Sequence, residues 1–239
     1  NIIKINLRNK NDRLLKISEM FLKIYVKLKN LKPNLVIVYG DTDTTLAASL
    51  VAKRLNIKIM HVESGLRSNV IEMPEEQNRY ITDYLSDYLI APTKDSLRNL
   101  KEYKKYKKIY NFGDVMYDSV LYYKKIVNKY VIKFKKKYKL NEYIFFSIHR
   151  DANTDIKKIR LIFDQMNKID NIFFWPVHPK ISKIINQNNI KLPTNVIMSS
   201  PVSYLDSIAA IKSSKFTVTD SGGIQKESYF MNKKCFVLR

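Results

Sequence analysis

The sequence predicts an α/β protein with two parallel β-sheets, and three observations indicate this fold class. Short apolar runs alternate along the chain with segments of helical periodicity, which is the pattern of parallel βαβ units. A lysine-rich helical region near the middle separates two such blocks. Hydrophobic residues make up 45% of the 239 residues, which is enough to bury a core in each block.

The first block contains four predicted strands with helices between them. The strand "NLVIVYG" precedes a helix from Thr44 to Leu55, and "IKIMHVE" is the next strand. The segment "MPEEQNRYITDYLSDY" is typical of a helix with Pro74 in its first turn. The strand "YLIAPT" leads into a helix that Thr93 caps, and "KKIYNFG" is the last strand of the block.

The second block repeats this alternation after a helical region from Val120 to Tyr138. Its predicted strands are "EYIFFSIHR", "NIFFWPVHPK", "NVIMSSP" and "KFTVTDSGG". Ser203 caps a helix that ends at Lys212, and "IQKESYF" begins another helix. We predict two Rossmann-like domains that face a cleft, residues 1–122 and 123–239.

Composition excludes several classes of protein. No run of about 18 apolar residues predicts a membrane span, and the single cysteine, Cys235, cannot form an internal disulfide, which fits a reducing, cytoplasmic compartment. The formal charge of +21 invites a nucleic-acid interpretation. However, no nucleic-acid motif accompanies the lysine runs, so we interpret them as a solvated face that attracts an anionic substrate.

The two ends of the chain favour its interpretation as a piece of a longer protein. It begins with Asn1 and ends directly after the apolar run "CFVL". We therefore expect that the first strand of the N-terminal domain is missing and that the C-terminal domain is truncated.

Two carboxylates, two imidazoles and a Ser-Gly-Gly turn follow the predicted strands. In parallel sheets, ligands bind beyond the carboxyl ends of the strands, where helix N-termini converge. The residues at these positions are Asp41, Glu63, His149, His178 and Ser221. Together they predict a ligand site lined with acid–base groups.

Simpler interpretations stay open for several of these residues. Asp41 or Asp43 alone is compatible with an N-cap. Their spacing also resembles the metal-binding pair of some glycosyltransferases, but two carboxylates are a weak signal. Glu75 and Glu76 lie in a first helical turn, where acidic residues are common, and Arg79 is spaced for an i,i+4 pair with Glu75. We interpret His61, inside a strand, as structural.

The segment "TDSGGIQKES" predicts a phosphate-binding turn. A strand ends there, two glycines permit close approach of a ligand, and a helix begins with free N–H groups. The segment matches neither the Walker pattern nor a dinucleotide-binding fingerprint. Glu227, near the start of this helix, is suited to accept hydrogen bonds from ribose hydroxyls. The segment therefore favours a nucleoside diphosphate.

Eight motifs resemble, in order, those of the UDP-N-acetylglucosamine 2-epimerase family, in particular its bacterial non-hydrolysing branch. They are "YGDTDTTLAAS", "HVESGLRS", "MPEEQNR", "DYLIAPT", "FGDVMYDS", "SIHRDANTD", "PVHPK" and "VTDSGGIQKES". The resemblance implies a GT-B architecture and a cytoplasmic homodimer that interconverts UDP-GlcNAc and UDP-ManNAc. It implies no cofactor, metal, membrane or nucleic-acid partner.

The resemblance also implies a role for each matching residue. The implied catalytic residues are Asp41, Glu63, Glu75 and His149, and the implied substrate-binding residues are Arg79, Arg150, His178, Ser221, Gly222, Gly223 and Glu227. Hydrolysing relatives, which release ManNAc, share most of these motifs. A GT-B glycosyltransferase that uses a UDP-sugar and a diacetamido-uronate 2-epimerase are further alternatives, and "FGDVMYDS" disfavours the last.

Overall fold

The computed structural model describes residue 7 and residues 12–150 and 153–238. The chain divides into two compact units, Asn1–Val115 and Met116–Arg239. The boundary that the sequence predicts, Tyr122, lies inside a helix of the second unit. Each unit contains one fully parallel sheet, so the α/β prediction is confirmed.

The first unit has a four-stranded sheet in the order β1-β2-β3-β4. Its elements are α1 (Arg13–Leu31), β1 (Leu35–Tyr39), α2 (Asp43–Arg54), β2 (Lys58–Val62), α3 (Pro74–Leu85), β3 (Tyr88–Ala91), α4 (Lys94–Asn99), a 3-10 helix (Lys101–Lys105) and β4 (Lys108–Asn111). Helix α1 packs on α2 through Ile24, Ala47 and Val51, which are buried.

The second unit has a five-stranded sheet in the order β7-β6-β5-β8-β9. Its elements are α5 (Val115–Lys124), α6 (Val127–Tyr138), β5 (Ile144–Ser147), α7 (Ile156–Met166), β6 (Phe173–Pro176), α8 (Pro179–Gln187), β7 (Val196–Ser199), α9 (Tyr204–Ser213), β8 (Thr217–Thr219), α10 (Gly222–Phe230) and β9 (Cys235–Val237). The strand order reverses direction between β5 and β8, and such a switch point is where open α/β sheets bind ligands.

Strand β5 shows why the apolar runs form the middle of this sheet. Ile144 and Phe146 point into one core cluster, and Phe145 points into the cluster on the opposite face. All three are at most 2% exposed, because a parallel strand is covered by helices on both faces. The sequence signal of a central parallel strand is therefore a continuous apolar run.

The predicted strands and caps agree with the structure in most places. Thr93 and Ser203 cap α4 and α9, and Pro74 is at the first position of α3. The single helical region predicted from Val120 to Tyr138 is instead two helices, α5 and α6, which are separated by a turn. Helices α1, α7 and α8 and strand β9 are not among the elements that the sequence predicts.

Candidate functional site

The turn after β1 is built so that Thr42, rather than an aspartate, caps α2. The Thr42 Oγ1 accepts a hydrogen bond from the Thr45 N–H, and Thr45 Oγ1 donates to the Tyr39 carbonyl at 2.7 Å. The interpretation of Asp41 or Asp43 as the N-cap is therefore wrong. Thr42 takes over the capping role, and the Asp41 carboxylate contacts another element instead.

Two arginines bind the two aspartates of this turn. Arg79 Nη2 donates to Asp41 Oδ2 at 2.5 Å, and Arg13 makes two hydrogen bonds to Asp43, at 2.6 and 2.9 Å. Burial raises the pKa of Asp43, but hydrogen bonds from Arg13 and Asn78 outweigh it and leave the pKa lowered. The two carboxylates thus have separate cationic partners. Among the described residues, no group of three or more His, Cys, Asp and Glu side chains is arranged to hold a metal ion.

Glu63 adopts an unusual backbone conformation at the end of β2. Its φ is +67°, in the left-handed region that a residue with a Cβ rarely occupies. Gly40, in the turn after β1, has a φ of +68° and lies close to the Glu63 side chain. A Cβ added to Gly40 would be 3.5 Å from Glu63 Oε2. The Glu63 carboxylate therefore lies beside the residue that precedes Asp41. Strain of this kind is concentrated at functional sites.

Helix α3 places its two consecutive glutamates in different environments. Glu75 is exposed in the first turn, whereas Glu76 is fully buried. The spacing of Glu75 and Arg79 predicts an i,i+4 ion pair. In the structure Arg79 instead pairs with Glu76 and Asp41. Burial raises the pKa of Glu76, but hydrogen bonds from Ser68, Arg79 and Asn69 outweigh it and lower the pKa.

His61 lies inside β2 and is fully buried, as its interpretation as structural requires. Its Nε2 donates to the Gly40 carbonyl at 2.9 Å, and its Nδ1 lies 2.7 Å from Asp83 Oδ1. The other Asp83 oxygen accepts from the Gly65 amide at 3.1 Å and from Arg67 at 2.7 Å. This network connects the turn that carries Asp41 to the loop that follows Glu63.

In the second unit, His149 is paired with a buried carboxylate that the sequence interpretation missed. Asp220 Oδ1 lies 3.0 Å from His149 Nδ1 and accepts from the His149 amide at 3.0 Å. Asp220 Oδ2 accepts from the Arg150 amide and from Asn153 Nδ2. The His149 side chain is half exposed, and Asp220 is 1% exposed. Arg150 thus contributes a backbone donor, and its side chain is exposed.

The pKa of Asp220 reflects these donors. Burial raises it, but hydrogen bonds from His149, Asn153 and the backbone amides of Arg150 and His149 lower it to about 2. Asp220 therefore stays ionised at neutral pH and accepts from His149. A signal for Asp220 was present in the sequence, because an acid directly before "SGG" lies at the carboxyl end of a strand.

The turn after β8 presents a helix N-terminus with open space in front of it. Ser221 caps α10 by accepting from the Ile224 amide at 3.4 Å. A Cβ on Gly222 would meet nothing within 4 Å, and one on Gly223 would make only ordinary contacts, 3.8 Å or longer. The fold of this unit therefore does not itself require either glycine. Their small size keeps the backbone N–H groups accessible to an anion.

Three of the predicted residues line one cavity of about 260 Å³ in the second unit. His149 follows β5, His178 follows β6, and Ser221 follows β8, so all three lie at the carboxyl edge of the sheet. His178 also caps α8, since its Nδ1 accepts from the Lys180 amide at 3.2 Å. The cavity thus combines two imidazoles with a helix N-terminus, next to the switch point between β5 and β8.

Glu227 is a buried carboxyl group one turn into α10. It is 8% exposed, and burial raises its pKa to about 7. Burial, followed by the charge of Glu227, raises the pKa of Tyr204 to about 12. Among the described residues, no hydrogen-bond donor offsets the effect of burial on the pKa of Glu227. This carboxyl group is therefore suited to accept hydrogen bonds from the hydroxyl groups of a ligand.

Comparison with known proteins identifies the family. The model of the UDP-N-acetylglucosamine 2-epimerase family matches residues 1–239. The chain belongs to this family. The resemblance of the eight motifs to the UDP-N-acetylglucosamine 2-epimerase family is thereby confirmed.

Individual relatives of this chain also carry epimerase names. The chain is 42% identical over 228 residues to a UDP-N-acetylglucosamine 2-epimerase homolog of Methanococcus maripaludis, an alignment that covers 92% of this chain and 64% of the relative. It is 40% identical to the UDP-2,3-diacetamido-2,3-dideoxy-D-glucuronate 2-epimerase of Pseudomonas aeruginosa, with 87% and 59% covered. The chain thus spans about three fifths of the length of these relatives.

Solved structures of the family share the fold. The UDP-GlcNAc 2-epimerase of Methanocaldococcus jannaschii, in complex with UDP-GlcNAc and UDP, superposes with a TM-score of 0.87 at 34% identity, covering 97% of this chain and 67% of that one. The enzyme from Neisseria meningitidis bound to UDP-GlcNAc superposes with a TM-score of 0.86 at 31% identity, covering 98% and 67%. The fold is therefore GT-B-like, as predicted.

Proposed function

We propose that the protein containing this chain is a non-hydrolysing 2-epimerase that interconverts UDP-GlcNAc and UDP-ManNAc. The observation that carries the proposal is a set of acid–base residues at the strand ends of an epimerase-family fold. Asp41 and Glu63 lie at adjacent strand ends of the first unit, and Glu75 lies in the first turn of the helix that follows β2. His149 and Asp220 form a separate imidazole–carboxylate pair in the second.

The substrate dictates why several proton-transfer groups are needed. The hydrogen at C2 of the sugar is adjacent to no carbonyl group, so it is too weakly acidic for simple removal and return. In the proposed reaction, the C1–O bond breaks, UDP leaves with its electron pair, and C2 loses its proton. A C1=C2 double bond forms, which gives 2-acetamidoglucal. UDP then adds back to C1 while C2 accepts a proton on the opposite face.

The carboxylates of the first unit suit the proton transfers. Removal from one face and delivery to the other require at least two groups with different protonation states. Asp41, Glu63 and Glu75 are the candidates, and Arg79 supports Asp41 through the 2.5 Å contact.

The second unit suits the departing diphosphate. In the proposal, Asp220 accepts from His149 Nδ1, and the ring in its doubly protonated form donates through Nε2 to the leaving oxygen. The N-terminus of α10, with Ser221, Gly222 and Gly223, binds phosphate oxygens. Arg150 adds positive charge, and Glu227 accepts hydrogen bonds from the ribose. His178 is suited to donate through Nε2, since its Nδ1 accepts from the Lys180 amide. No hydride moves, so the proposed reaction consumes no nicotinamide.

Further expectations accompany this proposal. We expect a cytoplasmic homodimer that supplies cell-surface polysaccharide synthesis. Among the described residues, no helix is both long and apolar enough to cross a bilayer. Since the chain spans only part of the length of its relatives, we expect the 239 residues alone to be inactive.

A second candidate substrate follows from one relative. The Pseudomonas aeruginosa protein is named as a UDP-2,3-diacetamido-2,3-dideoxy-D-glucuronate 2-epimerase and is 40% identical to this chain. Epimerisation at C2 is common to both reactions, and the substrates differ at C3 and C5. Comparison of kcat/KM for the two substrates decides between them.

The test uses deuterium incorporation by the full-length gene product. In heavy water, UDP-GlcNAc gains deuterium at C2 and yields UDP-ManNAc if the proposal is correct. Asp41→Asn and His149→Ala each lower turnover by about 100-fold or more. Asp95→Asn, which affects only an exposed ion pair with Arg98 on α4, is the control and leaves turnover unchanged.

Three other outcomes would contradict the proposal. Unlabelled C2 with no manno product would exclude the epimerase. Free ManNAc with UDP would indicate the hydrolysing reaction, and transfer of the sugar to an added acceptor with C2 unchanged would indicate a glycosyltransferase.

A further inference from the structure

Glu76 is a charged group that the proposed reaction does not use, and it is fully buried. Its Oε1 accepts from the amides of Ser68 and Asn69 at 2.9 and 3.0 Å. Its Oε2 accepts from Arg79 Nη1 at 2.8 Å and from the Ser68 amide at 2.9 Å. A buried carboxylate is costly unless donors surround it, and here both oxygens have them.

Arg79 connects this buried carboxylate to the active-site turn. Its guanidinium donates through Nη1 to Glu76 and through Nη2 to Asp41. A planar guanidinium held at one nitrogen by a buried acid has a fixed orientation, so the second nitrogen is fixed as well. Asn78 of the same helix donates to the Asp41 carbonyl at 2.9 Å. Helix α3 thus holds both the backbone and the side chain of Asp41.

Glu76 also holds the loop that follows Glu63. The amides of Ser68 and Asn69 belong to this loop, and both donate to Glu76. One carboxylate therefore stabilises the chain segments that carry two of the proposed proton-transfer residues.

We propose that Glu76 is a positioning residue, which orients the Asp41 carboxylate through Arg79 for proton transfer at C2. The inference rests on the proposed epimerase function. It assigns different roles to the two glutamates of "PEEQNR": Glu75 is the proposed catalytic residue, and Glu76 is the support of Asp41. It also assigns Arg79 to the orientation of Asp41, whereas the family resemblance implies a substrate-binding role for Arg79.

The variant Glu76→Gln separates the two contacts of Glu76. The amide oxygen takes the place of Oε1 and keeps the hydrogen bonds from Ser68 and Asn69. The amide nitrogen takes the place of Oε2 and meets the donor Arg79, so the contact to Arg79 is lost. The Ser68 amide loses its branch to Oε2 but keeps its branch to Oε1. We expect kcat to fall about 10- to 100-fold, since a displacement of about 1 Å at a reacting group has an effect of this size. KM should change less than about threefold.

The background Arg79→Ala decides whether Glu76 acts through Arg79. If it does, Glu76→Gln causes no further loss of kcat in this background. A role limited to the loop predicts the same fractional loss in both backgrounds. The control is Glu142→Gln, which removes an exposed partner of Lys215 and leaves kcat unchanged.

Two results would overturn the inference. The first is an unchanged kcat in Glu76→Gln. The second is a raised KM with normal kcat, which would mean that Arg79 binds the substrate and does not orient Asp41.

NMR separates failure of the inference from failure of the proposed function, because the measurement needs no substrate. If Asp41 and Glu76 both hold the guanidinium of Arg79, rotation about its Cζ–Nη bonds is slow in the parent protein and fast in Glu76→Gln. Fast rotation in the parent protein would contradict the inference.

Discussion

Replacement of Glu227 by glutamine should stabilise the second unit and weaken nucleotide binding. Burial raises the pKa of this carboxyl group from its usual 4.5 to about 7. Each pKa unit is worth about 1.4 kcal/mol, so the ionised group costs the folded state up to about 3 kcal/mol. Because glutamine has nearly the same shape and no charge, Glu227→Gln removes this cost.

The sign of the effect depends on pH. Below about pH 4.5 the carboxyl group is protonated in both the folded and unfolded states, and it contributes no penalty. Between about pH 4.5 and 7 the unfolded chain loses the proton first, so the free energy of unfolding decreases as the pH rises. Above about pH 7 the full penalty is present. The variant should therefore differ little from the parent protein at pH 4 and be more stable at pH 8.

Trp175 provides the assay, because it is the single tryptophan of the sequence and lies in β6 of the same unit. Its indole is fully buried, so its fluorescence reports unfolding of this unit in urea. The pKa of Glu227 is measured directly from the ¹³C shift of its carboxyl carbon. Glu142→Gln, at an exposed position of the same unit, is the control and should not gain stability at pH 8.

The result that would refute this reasoning is a Glu227 that titrates near pH 4.5, or a Glu227→Gln variant less stable than the parent protein at pH 8. The functional consequence is measured by calorimetry with UDP. Loss of hydrogen bonds from ribose hydroxyls to an ionised acceptor should weaken binding by about 1.5 to 3 kcal/mol. A gain in stability with a loss in affinity is the expected exchange at a binding site.

Three further predictions concern other parts of the site. Glu63→Gly should be more stable than Glu63→Ala by about 1 kcal/mol in urea denaturation, because glycine adopts a φ of +67° without strain, and equal stability would contradict this. Asp220→Asn should lose about 2 kcal/mol of stability at pH 7, because the lowered pKa of Asp220 stabilises the fold above about pH 4; this contribution disappears in the parent protein as the pH falls to about 2. Gly223→Val should leave the melting temperature within a few degrees and weaken UDP binding by at least 10-fold in calorimetry, since a branched side chain would occupy the space before the α10 amides; unchanged affinity would place the phosphate elsewhere.

Much of the fold could be predicted because the strands are fully covered. Ile144, Phe145 and Phe146 form an apolar run whose length and flanking polar residues indicate a parallel strand. The caps Thr93 and Ser203 were also predictable, since their side chains act on the amides directly ahead of them. Local signals of this kind need no knowledge of the tertiary structure.

The supporting residues of the site could not be predicted in the same way. Consecutive residues on a helix differ by about 100° around its axis, so "EE" does not reveal which glutamate is buried. The structure buries Glu76 and exposes Glu75. Likewise, the pairing of Asp220 with His149 joins residues far apart in sequence, and the left-handed backbone of Glu63 depends on the turn packed beside it.

The supports of Asp41 and His149 have a consequence for engineering of the family. Asp41 takes its guanidinium and buried glutamate from the first unit, and His149 takes its aspartate from the second. Genes recombined at the boundary of the two units, after Val115, therefore inherit each reactive group together with its own scaffold. Chimeras of this kind would keep the local geometry of both reactive groups, whichever relative supplies each unit.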